Sequence, residues 1–232
     1  MDGMYIKLIS DMQTVLFLSS PVQMIKSAWS DDNSKIAGVG VDKIIRIWST
    51  TNGVLLGTLE SSLWVDRIED IVWSGNRLYS LGLEGPFIIW DTTTYQIIQN
   101  FNTFAGQDLE LSPDGNKLAI AGFAGIGIIE VANLDNGILD EGIFLNQNAQ
   151  LWTFSWKPDG QKIASGSVDG IVRIWDITTA TLETTLDLNN ETNGNPNIIN
   201  VQWGIGYIAI GISTSLDTYV FEDVTYTLLD TI

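Results

Sequence analysis

The sequence predicts an all-β protein built from repeated small sheets, and three observations lead to this fold class. Segments of similar length recur along the chain, and each begins and ends at a large apolar residue. Between these residues lie short apolar runs of the length and period of β-strands, separated by Gly, Asp, Asn and Pro turns. No segment of helical length shows a 3.6-residue apolar period.

Five anchor residues begin the repeated segments and are spaced 44, 38, 45 and 47 residues apart. Each segment ends at an apolar closing residue 17 to 20 residues later. The anchor residues are Trp29, Trp73, Leu111, Trp156 and Trp203. The predicted closing residues are Trp48, Trp90, Val131, Trp175 and Phe221.

Within each repeat the elements follow in a fixed order. A first strand ends at the anchor residue, and a turn such as Pro158-Asp159-Gly160 follows, because Pro presets φ and Gly accepts a positive φ. A second strand leads to a turn that carries an acid or Gly, and a third strand ends at the closing residue. The predicted fourth strands are Val54–Leu59, Tyr95–Phe101, Gly142–Leu145, Thr181–Leu186 and Thr225–Leu229. Four strands in about 40–45 residues form the unit of a β-propeller blade.

The period also predicts the domain organisation. Residues 1–21 are expected to supply one or two strands, Tyr5–Ile9 and Thr14–Leu18, for ring closure or a partial blade. Residues 22–232 are expected to hold five blades. Their predicted bounds are about 22–60, 61–104, 105–148, 149–193 and 194–232.

The segment endings RIWS, IIWD and RIWD, with SGSVDG and the turns SPDG and KPDG, resemble WD-repeat β-propellers. The resemblance implies an all-β propeller of five to six four-stranded blades, either a small ring or an incomplete one. The family's Gly-His pair cannot occur in a chain without histidine, so its His–Asp–Ser/Thr–Trp hydrogen-bond network is expected to be absent. The third repeat also departs from the family, with Ala124 and Val131 where an acid and a tryptophan are expected.

Composition excludes several classes of function. The 232 residues include 28 acidic and 11 basic side chains, a formal charge of −17, whereas nucleic acids and anionic lipids attract clustered cations. There is no cysteine and no histidine, which removes thiolate and imidazole catalysis and the commonest zinc ligands. No apolar run has the length of about 18 residues expected of a membrane span, and the N-terminus is a poor secretory signal. The sequence therefore predicts a cytoplasmic protein without membrane or nucleic-acid partners.

Three motifs could carry binding chemistry, and each has a structural interpretation that is favoured. The turn acids Asp42, Glu84 and Asp169 could bind a cation or a basic peptide, or stabilise their turns. The stretch around Asp135-Asn136-Gly137 lacks calcium-loop spacing, and the glycines of 122–127 precede a strand rather than a helix. The Asn-rich stretch 189–200 is predicted to be a mobile loop. No metal or other cofactor is predicted.

The resemblance implies that partners bind at one rim of the propeller, through residues four and six before each anchor residue and beside the second turn. Two tryptophans outside the repeat positions, Trp64 and Trp152, fall in the connections that enter first strands, and Trp is enriched at interfaces. The alternative for both is packing beneath the loop. The candidate partner-binding residues are Trp64, Arg67, Glu69, Leu83, Gln107, Phe123, Gln150, Trp152, Val168 and Asn197.

The function expected from these observations is a non-catalytic scaffold that presents a propeller face to a protein or peptide, within a larger assembly. The acidic balance favours basic partners. A second copy or a partner chain could complete the ring, and open blade edges could instead support a polymerising structural unit. A hydrolase using paired carboxylates is the remaining alternative.

Overall fold

A computed structural model describes residues 2–7, 14–64, 66–101, 106–123, 125–138, 141–147, 149–189, 192, 196–215 and 217–232. These residues form five four-stranded antiparallel sheets, one two-stranded sheet and one five-residue helix. The predicted all-β class and the four-stranded repeat are therefore confirmed. The chain divides into two compact units, Met1–Gly106 (unit 1) and Gln107–Ile232 (unit 2).

Unit 1 contains a two-stranded hairpin followed by two complete sheets. The N-terminal hairpin pairs β1 (Asp2–Lys7) with β2 (Thr14–Ser20). Sheet 1 consists of β3 (Met24–Trp29), β4 (Lys35–Gly40), β5 (Ile45–Ser49) and β6 (Leu55–Leu59), in that order. Sheet 2 consists of β7 (Ile68–Ser74), β8 (Arg77–Gly82), β9 (Phe87–Asp91) and β10 (Gln96–Phe101).

Unit 2 contains three sheets with the same strand order. Sheet 3 consists of β11 (Asp108–Leu111), β12 (Lys117–Ala121), β13 (Gly125–Glu130) and β14 (Glu141–Asn146), with the helix α1 (Val131–Asp135) between β13 and β14. Sheet 4 consists of β15 (Leu151–Trp156), β16 (Lys162–Ser167), β17 (Ile171–Asp176) and β18 (Thr181–Asp187). Sheet 5 consists of β19 (Ile198–Trp203), β20 (Tyr207–Ile212), β21 (Thr218–Glu222) and β22 (Leu228–Thr231).

The anchor and closing residues share one cross-strand row in each sheet. In sheet 4, Ile163 pairs with Trp156 on one side and with Trp175 on the other. In sheet 3 the same row joins Leu111, Leu118 and Ile129. The prediction of Val131 as the third closing residue is therefore wrong, because β13 ends at Glu130 and Val131 begins α1. A helix of five residues is too short to show an apolar period in the sequence.

Adjacent sheets within each unit pack through apolar side chains from their facing surfaces. In unit 1, Ile47 of sheet 1 belongs to the same buried cluster as Trp73 and Trp90 of sheet 2. In unit 2, one cluster joins sheets 3 and 4, and another joins sheets 4 and 5. The tryptophans that close sheets 1 and 2, Trp48 and Trp90, are each 1% exposed, so the aromatic closing residues fill the space between sheets.

Candidate interaction surface

A β-bulge recurs four residues before the anchor residue in the first strands of sheets 1, 2, 4 and 5. At each bulge one residue is skipped in the pairing with the second strand: Ile25, Glu69, Trp152 and Ile199. A bulge bends its strand and redirects the side chain of the extra residue. Three of these side chains are large and apolar, and they are 40%, 44% and 54% exposed in Ile25, Trp152 and Ile199.

Hydrogen bonds between sheets bring the bulge positions of unit 2 to the same end of the strands. The Asp108 carboxylate accepts the backbone N–H of Phe154 at 3.0 Å, which aligns β11 with β15. The Ser155 hydroxyl accepts the backbone N–H of Trp203 at 3.2 Å, which aligns β15 with β19. Trp152 and Ile199 therefore lie at the end of unit 2 where β11 begins.

Phe123 lies at this same end, because Asp108 pairs with Ala121 just before the turn that carries Phe123. Its side chain is 53% exposed. We define the unit 2 rim surface as Phe123, Trp152 and Ile199, three exposed apolar side chains supplied by three successive sheets. Ile199 was not among the predicted residues, although its position four residues before an anchor is the signal that could have found it.

The other predicted residues of unit 2 are partly buried and are engaged at strand ends. The carbonyl of Gln150 accepts the backbone N–H of Val168 at 3.1 Å, and the backbone N–H of Asn197 donates to the Ser213 hydroxyl at 3.2 Å. The side-chain oxygen of Gln107 is buried and has no hydrogen-bond partner within the described part of the chain. These residues border the unit 2 rim surface and offer less side-chain area to a partner than its three apolar members.

In unit 1 the predicted partner-binding residues range from buried to exposed. Trp64 is only 7% exposed and packs in the cluster between sheets 1 and 2, which favours its packing interpretation. Arg67 is exposed and forms an ion pair with Glu69, and this hydrogen bond raises the pKa of the Arg67 guanidinium. Leu83 is partly buried beside the turn acid Glu84, which is exposed.

Trp64 shares its offset from the anchor residue with Gln147, which lies nine residues before Trp156. Gln147 is buried, and its side-chain oxygen accepts the hydroxyl of Ser165 at 2.7 Å. The same hydroxyl accepts the indole N–H of Trp175 at 2.9 Å. The complete His–Asp–Ser/Thr–Trp network cannot form here, but sheet 4 contains a shortened form of it that runs from Trp175 through Ser165 to Gln147. Gln147, which precedes the first strand, supplies the side-chain acceptor without histidine.

The turn acids of sheets 1 and 4 hold an arginine of their own sheet. Arg46 donates to both carboxylate oxygens of Asp42, at 3.1 and 2.6 Å, and this hydrogen bonding lowers the pKa of Asp42. Asp169 binds Arg173 in the same way, at 3.2 and 2.6 Å. Burial opposes ionisation of Asp169, but hydrogen bonds from Arg173 and Ser167 outweigh it and lower its pKa. These contacts support the turn-stabilising interpretation.

The other candidate motifs show no ligand geometry within the part of the chain that the structure describes. No group of three or more acidic side chains there is arranged to hold a metal ion. Asp140, which follows the Asp135-Asn136-Gly137 stretch, and residues 190, 191 and 193–195 of the Asn-rich stretch lie outside the described residues. Among the described residues, none of the helical structure is long and apolar enough to cross a membrane.

Comparison with known proteins gives one family match and several relatives. The family model described as WD domain, G-beta repeat, matches residues 143–176. This range begins inside β14 and ends with β17, so the family's repeat takes its first strand from sheet 3 and the other three from sheet 4. The matched repeat is therefore offset from the sheets and spans sheets 3 and 4.

Three relatives illustrate the similarity. The chain is 25% identical over 195 residues to the human U3 small nucleolar RNA-associated protein 4 homolog, covering 82% of this chain. It is 26% identical to WD repeat-containing protein AAC3 of Dictyostelium discoideum, over 66% of this chain. It is 25% identical to eukaryotic translation initiation factor 3 subunit I of Culex quinquefasciatus, over 58% of this chain.

The chain spans only part of these relatives, with matches that cover 28%, 33% and 45% of their respective lengths. The similarity nevertheless extends well beyond the single matched repeat, and the five sheets share one strand order and one register row. These findings confirm the resemblance indicated by the sequence: residues 143–176 match the WD-repeat family model, and the chain is similar to WD-repeat proteins over most of its length.

Proposed function

We propose that this chain is a non-catalytic scaffold that binds a protein or peptide through the unit 2 rim surface. The observation that carries the proposal is the row of exposed Phe123, Trp152 and Ile199 at one end of three adjacent sheets. Single exposed apolar residues are ordinary, but here a turn residue of sheet 3 and the bulge residues of sheets 4 and 5 expose three large apolar side chains at the same end of successive sheets. A central Trp is the residue type most enriched among energetically dominant interface contacts.

Charge supports a basic partner. The formal charge of −17 attracts cationic proteins over distances comparable to the Debye length and speeds their association. The carboxylates of Asp108 and Glu110 lie in β11, next to this end of the sheets, although both are occupied by backbone N–H groups of β15. We therefore propose that Asp108 and Glu110 hold sheets 3 and 4 together. The net charge of the chain steers basic partners towards it.

The absence of catalysis rests on the residues that the chain contains. The alternative considered above, a hydrolase of the glycosidase type, would need a pair of free carboxylates at the separation that glycosidases use. The turn acids Asp42 and Asp169 are instead engaged by arginines. Screening for glycoside hydrolysis tests this alternative, and turnover that is abolished by a single carboxylate substitution would support it.

Two relatives are named as parts of larger systems, one as a subunit of a translation initiation factor and one as a small nucleolar RNA-associated protein. By analogy we propose that this chain works as a subunit or module of an assembly. A cytoplasmic location stays a prediction, since these two names point to different settings.

A purely structural role is the second candidate, supported by exposed leucines on the outer strand β6, Leu55 and Leu56.

The test compares the wild-type chain with a Phe123→Ser/Trp152→Ala double variant and with a Val224→Ser control. Val224 is 72% exposed and lies outside the unit 2 rim surface. Each chain is immobilised and used to select from a random-peptide library, and partners from cell extract are quantified by mass spectrometry. We expect enrichment of basic sequences and loss of the same partners only in the double variant.

Equal capture by all three chains would refute the assignment of this surface. Light scattering on the same samples addresses the structural role. Concentration-dependent growth that Leu56→Lys abolishes would favour polymerisation through β6, whereas a concentration-independent monomer would oppose it.

A further inference from the structure

A cavity of about 300 Å³ lies between sheets 1 and 2, at the end of unit 1 where β4 begins. Its walls come from the turns that join β3 to β4, β7 to β8 and β9 to β10. The indole N–H of Trp73 donates to the carbonyl of Gly75 at 2.9 Å, so this part of the wall is already hydrogen-bonded. The volume lies at the lower end of the range that small-molecule sites occupy, about 300–1,000 Å³.

Lysines begin the second strand of sheets 1, 3 and 4, and two of them have an acidic partner. These lysines are Lys35, Lys117 and Lys162. Lys117 forms an ion pair at 3.3 Å with Glu130, the residue opposite it on β13. Lys162 forms an ion pair at 2.7 Å with Glu183, the residue that is skipped where β18 pairs with β17. The repeat therefore provides two positions for a carboxylate that holds this lysine.

Sheet 1 has no acid at either of these positions. Ser49 lies opposite Lys35 on β5, and the skipped residue of β6 is Leu56. Lys35 is partly buried and lines the cavity, and its ammonium group has no hydrogen-bond or ion-pair partner in the described part of the chain. Since hydrogen bonds between an ammonium and a carboxylate are strong, a carboxylate in the cavity would take the role that Glu130 and Glu183 have in the other sheets.

Two neutral groups of the same walls are also without a partner. Thr92 is 2% exposed and lines the cavity, and its hydroxyl forms no hydrogen bond with any described residue. Asn76 accepts the backbone N–H of Thr92 at 2.9 Å with its carbonyl, whereas its side-chain amide is not hydrogen-bonded within the described residues. A buried hydroxyl without a partner costs free energy, and an acceptor in the cavity removes that cost. The hydroxyl and the amide can both donate to the oxygens of a carboxylate.

Asp31 provides a group of opposite charge on the turn between β3 and β4. Its Oδ2 accepts the backbone N–H of Gly75 at 2.8 Å, which fixes the carboxylate between the two turns. Its Oδ1 has no hydrogen-bond partner among the described residues. The neighbouring Asp32 differs, because its carboxylate accepts the hydroxyls of Ser30 and Ser34. The cavity therefore offers one cation and one carboxylate oxygen to a ligand.

We propose that this cavity binds a small zwitterion of the amino-acid class. The carboxylate of the ligand accepts hydrogen bonds from the Lys35 ammonium and the Thr92 hydroxyl, and its ammonium group donates to Oδ1 of Asp31. A zwitterion fits better than a simple anion, because the formal charge of −17 repels a ligand with net negative charge. The site lies within unit 1, uses none of the unit 2 rim residues and goes beyond the proposed function.

Amide NMR of the full chain, titrated with small probes, tests this assignment. The probes are two zwitterions with different charge separations, alanine and γ-aminobutyrate, and their carboxylate-only counterparts, propionate and butyrate. The reporters are the backbone amide of Gly75 and the side-chain amide of Asn76. Lys35→Met and Asp31→Asn each remove one charge, and Lys35→Arg retains it. Lys117→Met is the matched control, because it removes the equivalent lysine of sheet 3.

We expect saturable shifts of both reporters with at least one zwitterion, at a Kd on the order of 1 mM, since so small a ligand makes few contacts. Lys35→Met should weaken this binding by at least about tenfold, whereas Lys35→Arg and Lys117→Met should change it by less than about threefold. The carboxylate-only counterpart should bind the wild type at least about tenfold more weakly than the zwitterion. Asp31→Asn should abolish this preference, because the amide still accepts the Gly75 N–H but carries no charge.

Three results would overturn the proposal. One is the absence of saturable shifts with both zwitterions. Another is unchanged binding in Lys35→Met, which would place the probe elsewhere. The third is equal affinity for a zwitterion and its carboxylate-only counterpart, which would mean that Asp31 contributes nothing. Because these measurements do not involve Phe123 or Trp152, failure of the proposed function would leave them unchanged.

Discussion

The indole N–H of Trp175 donates a 2.9 Å hydrogen bond to the hydroxyl of Ser165 on the neighbouring strand of sheet 4. The hydroxyl in turn contacts the side-chain oxygen of Gln147 at 2.7 Å, and all three residues are buried. Sheet 2 has the equivalent contact between Trp90 and Ser80 at 2.7 Å. There, however, Trp64 lies at the same offset from its anchor residue as Gln147 does, and its indole N–H finds no hydrogen-bond partner among the described residues. Comparing the two sheets therefore measures how much the hydrogen bond to Gln147 contributes to the free energy of unfolding.

Replacing Ser165 with Ala should destabilise the chain by about 1–3 kcal/mol, because it leaves both the Trp175 N–H and the Gln147 side chain without a partner in a buried site. Ser80→Ala is the matched control, which removes the acceptor of Trp90 but affects no glutamine. Urea unfolding should show a larger loss for Ser165→Ala. Equal losses would mean that the Gln147 contact contributes nothing.

The two tryptophans outside the repeat positions should respond oppositely to truncation. Trp64→Ala removes a side chain that is 7% exposed, so the unfolding free energy should fall by about 3–5 kcal/mol. Trp152→Ala removes one that is 44% exposed, and the loss should stay below about 1 kcal/mol. Thermal and urea unfolding give both values. A large loss for Trp152→Ala would place this residue in the core and weaken its assignment to the unit 2 rim surface.

Gly166 of β16 lies directly against Ile198 of β19, where sheets 4 and 5 are in contact. A Cβ added at Gly166 would lie 2.4 Å from the Ile198 side chain, whereas one added at Gly142 would meet nothing nearer than 3.9 Å. We expect Gly166→Ala to cost about 1–3 kcal/mol through overpacking, and Gly142→Ala to be neutral or slightly stabilising. Chemical denaturation tests both. Wild-type stability in Gly166→Ala would show that Ile198 repacks freely and that the contact between the sheets is loose.

Stability should fall in acid as two turn carboxyls are protonated. The pKa of Asp32 is lowered to about 2 by the backbone N–H of Ser34 and the hydroxyl of Ser30. The pKa of Asp114 is lowered to about 2 by the hydroxyl of Ser112 and the backbone N–H of Asn116. Because both folded-state values lie below the ordinary 3.8, the stabilisation is complete above about pH 4 and is lost as the pH falls through about 2.

Urea unfolding of the wild type and of the Asp32→Asn/Asp114→Asn variant between about pH 2 and pH 6 measures this dependence. The variant should be less stable at pH 6 and should converge with the wild type near pH 2. A constant difference across the range would exclude these carboxyls as its source.

Most of the strand pattern could be predicted from the sequence, because turn residues and apolar periods act over a few neighbouring positions. The third repeat shows where that information ends. Ile129 rather than Val131 occupies the closing position, and only the pairing with Leu118 identifies it. Both residues are β-branched and apolar, so the local sequence does not distinguish them. The offset of Ile199 from its anchor residue could be read from the sequence, but its bulge could not, since a bulge changes the register and not the composition.

The sequence by itself determined the all-β class, the four-stranded repeat with its order of elements, and the exclusion of thiolate and imidazole chemistry. Only the tertiary structure decided which tryptophans are buried. Trp29 and Trp156 are equivalent in the repeat, yet Trp29 is 43% exposed and Trp156 is 3% exposed. The physical reason is that burial depends on the surface lying opposite a side chain, and that surface comes from a strand more than 40 residues away. For Trp156 that strand is β11, whereas for Trp29 the structure describes none.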